Sequence, residues 1–274
     1  GDVYKRQSQT GAFKAVDITG NANLDPEEAT TFNIGAITDF GTDNWTATVD
    51  YYKFEFDNPI IFENHQQLAN AYDNASSKAA VASQIFGPGN VAGNVGSFTA
   101  AEIGRIQSNF INGPKTETDG LDVFVKYETD HANGVMSAGV EANYVIDYSV
   151  DKYMKGTVMI ADAYECAGYF NIENTCRSMP DLKAKAFLNY KTDAHNFYGA
   201  INYVSSYQDR RKTNAGCGKT LVGGVCTEIA PHTTVDATYT YSWDEFDVSL
   251  SVYNITDEEP SFTVWEMNYD PNTC

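Results

Sequence analysis

Apolar and polar residues alternate along most of this chain. Between Val135 and Tyr148, one face would carry Met136, Ala138, Val140, Ala142, Tyr144, Ile146 and Tyr148. The opposite face would carry Ser137, Gly139, Glu141, Asn143 and Asp147. A period of two marks a strand, because successive side chains point to opposite faces. The pattern returns in Leu182, Ala184, Ala186, Leu188 and Tyr190, set against Lys183, Lys185, Asn189 and Lys191. It returns in Leu121, Val123, Val125 and Tyr127, set against Asp122, Lys126 and Glu128. Further runs are Phe32-Ile34-Ala36, Trp45-Ala47-Val49-Tyr51, Phe197-Gly199-Ile201-Tyr203, Val235-Ala237-Tyr239-Tyr241-Trp243 and Phe246-Val248-Leu250-Val252. The expected fold is all-β, with about eight strands of roughly 10–14 residues, about twice the usual length in globular sheets.

Length and charge placement then choose the solvent. The apolar faces are almost free of charge, with Lys53 and His195 only at strand ends. A soluble sandwich also keeps charge off its inner face, so this alone decides nothing. Strand length does decide, since about ten tilted residues cross a hydrocarbon core. Trp45, Tyr148, Tyr207 and Trp243 stand at strand ends, where amphipathic rings favour a membrane interface. Connections are short at 41–44, 130–134, 193–194 and 244–245, and long at 57–117, 149–180 and 208–231. A structureless loop of sixty residues does not belong in a compact soluble domain. The pattern therefore predicts an antiparallel transmembrane β-barrel segment with short periplasmic turns and long extracellular loops. By phase, Asp50, Asp122, Lys126, Glu128, Glu141, Asp147, Lys183, Lys185 and Asp236 are expected to face the lumen. There they hydrate the wall and pair across strands.

Composition sharpens this picture. The 274 residues include 37 acidic and 18 basic side chains, a net charge of −19. With no basic run, phosphate-backbone recognition is not expected, and nucleic acid is not an expected partner. Eighteen Tyr, 15 Phe and 3 Trp argue against a disordered chain. No apolar run approaches the roughly 18 residues of a transmembrane helix; Pro59-Ile60-Ile61-Phe62 is typical of the longest.

The candidate chemistry is sparse. Cys166 and Cys176, and Cys217 and Cys226, form two closely spaced pairs within loop segments, with Cys274 left over. Such pairs predict local disulfides in an oxidising compartment, whereas a metal site needs tighter thiol spacing and further ligands. His65, His131, His195 and His232 are scattered, and no nucleophile–base set or converging carboxylate pair can be placed. Neither a catalytic residue, a metal nor a cofactor is expected. Gly216-Cys217-Gly218-Lys219-Thr220 has Thr213 where a phosphate loop needs its first glycine, and reads as a loop tip. Asp17 to Glu28 spaces oxygens like a calcium loop but lacks the central glycine, and reads as a polar loop. Thr99-Ala100-Ala101-Glu102 is a capping box, predicting a short helix with Ile103, Ile106 and Phe110 on one side.

Three short motifs carry a resemblance. Asn23-Leu24-Asp25-Pro26-Glu27 followed by Phe32-Asn33-Ile34-Gly35 resembles a mid-barrel strand entry of TonB-dependent outer-membrane receptors. Asn112-Gly113 through Gly120-Leu121-Asp122 is similar to a strand opening after a long loop in that family. Val252-Tyr253-Asn254-Ile255-Thr256-Asp257-Glu258-Glu259-Pro260 resembles its penultimate strand, and Asn268-Tyr269-Asp270-Pro271 the loop beyond. The likeness spans about 20–274 and is carried by Asn23, Leu24, Pro26, Glu27, Gly35, Asn254, Asp257 and Pro260.

That resemblance implies active import of a scarce bulky nutrient, such as a siderophore-type iron complex or an oligosaccharide. Energy would come from the TonB complex acting through an N-terminal plug domain. The expected partners are outer-membrane lipid, that complex, and a small-molecule or oligosaccharide ligand. On this reading residues 1–7 are sequencing-adapter read-through and 8–28 the remnant of an extracellular loop. Residues 29–256 hold the C-terminal barrel strands, and 257–274 a last extracellular loop with the closing strand missing. A passive porin, or a soluble secreted carbohydrate-binding β-protein, are the other architectures weighed.

Overall fold

Long alternating runs fold here into one meander. The computed structural model describes residues 14–40, 44–170, 178–209, 228–259, 262–263 and 268–269. Eight long strands follow in chain order: β1 (Glu28–Phe40), β2 (Trp45–Asp57), β3 (Thr116–His131), β4 (Gly134–Val150), β5 (Leu182–Lys191), β6 (His195–Val204), β7 (His232–Trp243) and β8 (Phe246–Val252). Each lies beside its sequence neighbours, from β1 at one edge to β8 at the other, and Tyr164–Glu165 adds a short ninth strand on β4. The β4–β5 pairing is antiparallel from Leu182↔Tyr144 to Lys191↔Val135. Antiparallel registers continue from Lys183↔Val204 to Lys191↔Asn196, and from His195↔Tyr241 to Val204↔His232. The sheet does not close on itself among the described residues.

Two-residue turns join β3 to β4 and β7 to β8. Ala132 and Asp244 both take positive φ, at 53° and 50°, as tight hairpin turns demand. The turn before β6 is tied by the Thr192 amide donating to the His195 carbonyl at 2.8 Å.

Contacts divide the chain into two compact units. The larger comprises 31–53, 118–148 and 166–274, and holds most of the meander. One of its faces leaves large apolar side chains uncovered: Ile34, Val140, Leu188, Ile201, Val248 and Leu250 are 45–67% exposed. A short four-stranded sheet also belongs to it, with Phe170, Tyr207 and Ile229 as its core.

The smaller unit comprises 1–30, 54–117 and 149–165. Ala15–Thr19 runs parallel to Arg105–Asn112, and Ile60–Phe62 runs antiparallel to it. Helix α1 (His65–Asp73) starts at Asn64, whose side chain accepts from the Gln66 and Gln67 amides at 2.9 and 3.2 Å. Leu68 and Tyr72 of α1 bury against Val81, Ile85, Ile103 and Ile106, each aliphatic contributing about 1.5–3 kcal/mol. A hairpin of Tyr153–Lys155 and Val158–Ala161 completes the unit, with Ile160 packed against this core.

Three expectations change. The helix predicted after Thr99 is a single turn over Ala100–Glu102, although the Thr99 amide does donate to the Glu102 carboxylate at 2.8 Å. Ile106 and Phe110 lie instead on the Arg105–Asn112 strand, because pairing on both sides outweighs local helical spacing. The stretch beginning at Asp17 is a loop only from residue 20 to 27, since Asp17 sits on the Ala15–Thr19 strand and forms an ion pair with Arg105. Strand lengths also spread beyond the expected range, with 16 residues in β3, 17 in β4 and only 7 in β8.

Candidate functional site

The polar face of the meander forms a trough of about 520 Å³. Alternation places its side chains: the even positions of β2, β3 and β7 and the odd positions of β4 and β5 fall on this face. Asp50, Asp122, Glu141, Lys183 and Lys185 all line it. Five of the nine charged residues expected on this face are thus brought together.

Their partners lie one strand away. Glu141 and Lys185 are directly opposite in register and form an ion pair at 3.3 Å. The Asn143 side chain donates to Asp122 at 2.8 Å and to the Tyr52 hydroxyl at 3.2 Å. Asn202 of β6 donates to Asp236 of β7 at 2.8 Å. The other oxygen of Asp236 accepts the Asn254 backbone amide at 2.8 Å. Lys126 and Glu128 pair with each other at 2.6 Å, outside the trough lining. Asp147, near the far end of β4, does not line the trough either.

Aromatic rings break this polar face, which charge phase alone did not pick out. Phe124, Phe187 and Tyr198 stack in sequence at centroid distances of 6.5 and 6.3 Å. The Lys185 ammonium lies 5.8 Å from the Tyr198 ring centre. Gly139 makes room for the stack: a Cβ there would meet the Val125 carbonyl at 2.6 Å and the Phe187 ring at 2.7 Å. The available signal was a glycine on the same face as Phe124 and Phe187.

The sequence motifs have structural roles. A Cβ on Gly35 would fall 1.9 Å from an Asp50 carboxylate oxygen, so any larger residue there has to displace the Asp50 side chain. Asn23 donates its amide to the Asn21 side chain at 2.9 Å, and Glu27 accepts the Ile60 amide at 3.1 Å. Asn254 and Asp257 both take positive φ, and the Asn254 side chain accepts the Glu258 amide at 3.0 Å. This local bonding explains an Asn at that place. Leu24 and Pro26 lie in the irregular segment before β1, and Pro260 is outside the described residues. Cys166 is buried, while Cys176, Cys217, Cys226 and Cys274 fall outside the described residues, as does the loop around Gly216. Among the described residues no group of three or more His, Cys, Asp or Glu converges as metal ligands.

A sequential antiparallel meander, bare and apolar on one face and polar on the other, defines a segment of a transmembrane β-barrel. The family model for the TonB dependent receptor-like β-barrel matches residues 2–255, and the chain belongs to that family. A sequence search of the curated proteins finds no match. Among solved structures, the chain is similar to the ferric enterobactin receptor PfeA of Pseudomonas aeruginosa, with a TM-score of 0.54 at 14% identity over 89% of this chain. It is also similar to the siderophore receptor PirA of Acinetobacter baumannii, with a TM-score of 0.51 at 13% identity over 88% of this chain. At such identities the likeness concerns the fold. The chain spans 28% and 29% of the lengths of those two proteins.

Proposed function

We propose that this chain is the C-terminal barrel portion of a receptor that imports a scarce bulky nutrient across the Gram-negative outer membrane. Energy enters from the TonB complex through an N-terminal plug domain, and the cargo is a siderophore-type iron complex, an oligosaccharide or a similar solute. The observation that carries the reading is the family match over residues 2–255, joined to a strand meander whose large apolar side chains find no protein cover. In this assignment the short turns face the periplasm and the long loops the exterior. The charged row from Asp50 to Lys185, together with Lys126, Glu128, Asp147 and Asp236, hydrates the lumen wall. The chain binds and conducts rather than catalyses.

The deciding experiment uses the full-length gene. A plug-encoding region upstream, outer-membrane fractionation, heat-modifiable migration in detergent and import that stops when TonB is deleted are the expected results. Import that persists without TonB would make the protein a passive porin, and recovery in the soluble fraction would sink the barrel. Cysteine pairing tests the loop assignment separately. Peptide mapping without reduction should link Cys166 to Cys176 and Cys217 to Cys226, and free thiols at all four would overturn it.

A further inference from the structure

Glu63 is 1% exposed and is the most deeply buried acidic side chain among the described residues. A lone carboxylate there would be strongly disfavoured, so its partners define what it does. One oxygen accepts from the Tyr153 hydroxyl at 2.6 Å and from the Lys155 ammonium. The other accepts from the Gln84 amide nitrogen at 2.5 Å and the Asn109 backbone amide at 3.1 Å. Gln84 turns its carbonyl oxygen to Lys155, also at 2.5 Å, which closes a ring of three side chains. Glu63, Gln84 and Asn109 come from the 57–117 connection, whereas Tyr153 and Lys155 come from the 149–180 connection.

We propose that Glu63 is the pin of a latch that makes the 57–117 connection and the Tyr153–Ala161 hairpin one mechanical body. The Tyr153–Ala161 hairpin meets the α1 unit through the Glu63 ring and the apolar seat of Ile160, while the Asp151 amide just before it donates to the Lys115 carbonyl at 2.9 Å. Burial of Glu63 favours its neutral form, but the hydrogen bonds from Lys155, Tyr153 and Gln84 outweigh that and hold the carboxyl below its ordinary range. A ligand touching either the 57–117 connection or this hairpin therefore acts on both, and the hairpin does not swing alone. Without Glu63, Lys155 and Tyr153 lose their shared anchor and the hairpin opens while α1 stays packed.

The test is segment-resolved hydrogen–deuterium exchange on the full-length receptor in detergent, comparing wild type with Glu63→Gln and Tyr153→Phe. Glu63→Gln should speed exchange across residues 153–161 by about tenfold or more, the protection expected from a lost charge-assisted hydrogen bond. Residues 65–73 should keep their protection, and heat-modifiable migration should be unchanged. Unchanged exchange at 153–161 would overturn the latch, as would an equal rise at 153–161 and 65–73. If Glu63→Gln does not fold, Tyr153→Phe decides: several-fold faster exchange confined to the hairpin supports the latch, and none refutes it. These readouts do not depend on cargo or on TonB, so the latch and the import reading fail separately.

Discussion

Single residues on this wall are constrained by how closely neighbouring strands approach. Gly139 is one such case, since the nearest atom to an added Cβ is the Val125 carbonyl, which is backbone and does not yield. Gly139→Val should destabilise the folded barrel by about 1–3 kcal/mol, the usual cost of overpacking, read from denaturant unfolding in detergent. Gly20→Ala, with nothing within 4 Å of its Cβ, should be neutral in the same assay. Glu63 makes a pH prediction. Its folded carboxyl sits below the ordinary range, so its stabilising contribution is complete above the unfolded value of about 4.3. That contribution is lost as pH falls through the lower folded value. The titratable groups facing it are Tyr153 and Lys155. Protection of residues 153–161 should therefore hold from neutral pH down to about pH 5 and fall only in stronger acid. A fall between pH 7 and 6 would contradict the assignment.

At the scale of elements, one-sided apolar strands and a capped helix make different demands. Ile201 lies mid-strand on β6, paired with Ala186 and Val235, and is 49% exposed. Ile201→Arg should cost about 2–4 kcal/mol in a bilayer, measured by reversible unfolding from liposomes. An exchange of charge on the opposite face, such as Lys126→Glu, should cost well under that, since its Glu128 pairing is at the surface. Helix α1 depends on its first-turn cap. Asn64→Ala should weaken it by about 0.5–2 kcal/mol, seen as faster amide exchange confined to residues 65–73. The strands were legible in the sequence because a period of two needs only the residues themselves. Helix α1 was not, because Leu68, Ala69, Ala71 and Tyr72 make too short an apolar stripe to stand out in a long polar connection. The capping box at Thr99 formed its bond but not its helix, since Ile106 gains more from strand pairing and burial.

For the whole molecule, the net charge of −19 and a mean hydropathy of −0.38 resemble those of a soluble acidic protein. Sorting residues by phase removes that impression, because apolar and charged residues lie on opposite faces of the same strands. The sequence by itself determined the strand meander, its one-sided character and its family, since alternation, turn residues and short motifs are local properties. It also assigned Asp50, Asp122, Glu141, Lys183 and Lys185 to a common face. Only the tertiary structure decided which of them meet. Pairing Glu141 with Lys185 requires a strand register, and that register is set by hydrogen bonds between strands that a long connection separates by more than thirty positions. The stack of Phe124, Phe187 and Tyr198 over Gly139 was likewise decided by register. The Glu63 latch joins side chains some ninety positions apart, and no local pattern encodes a burial that distant chain segments must create together.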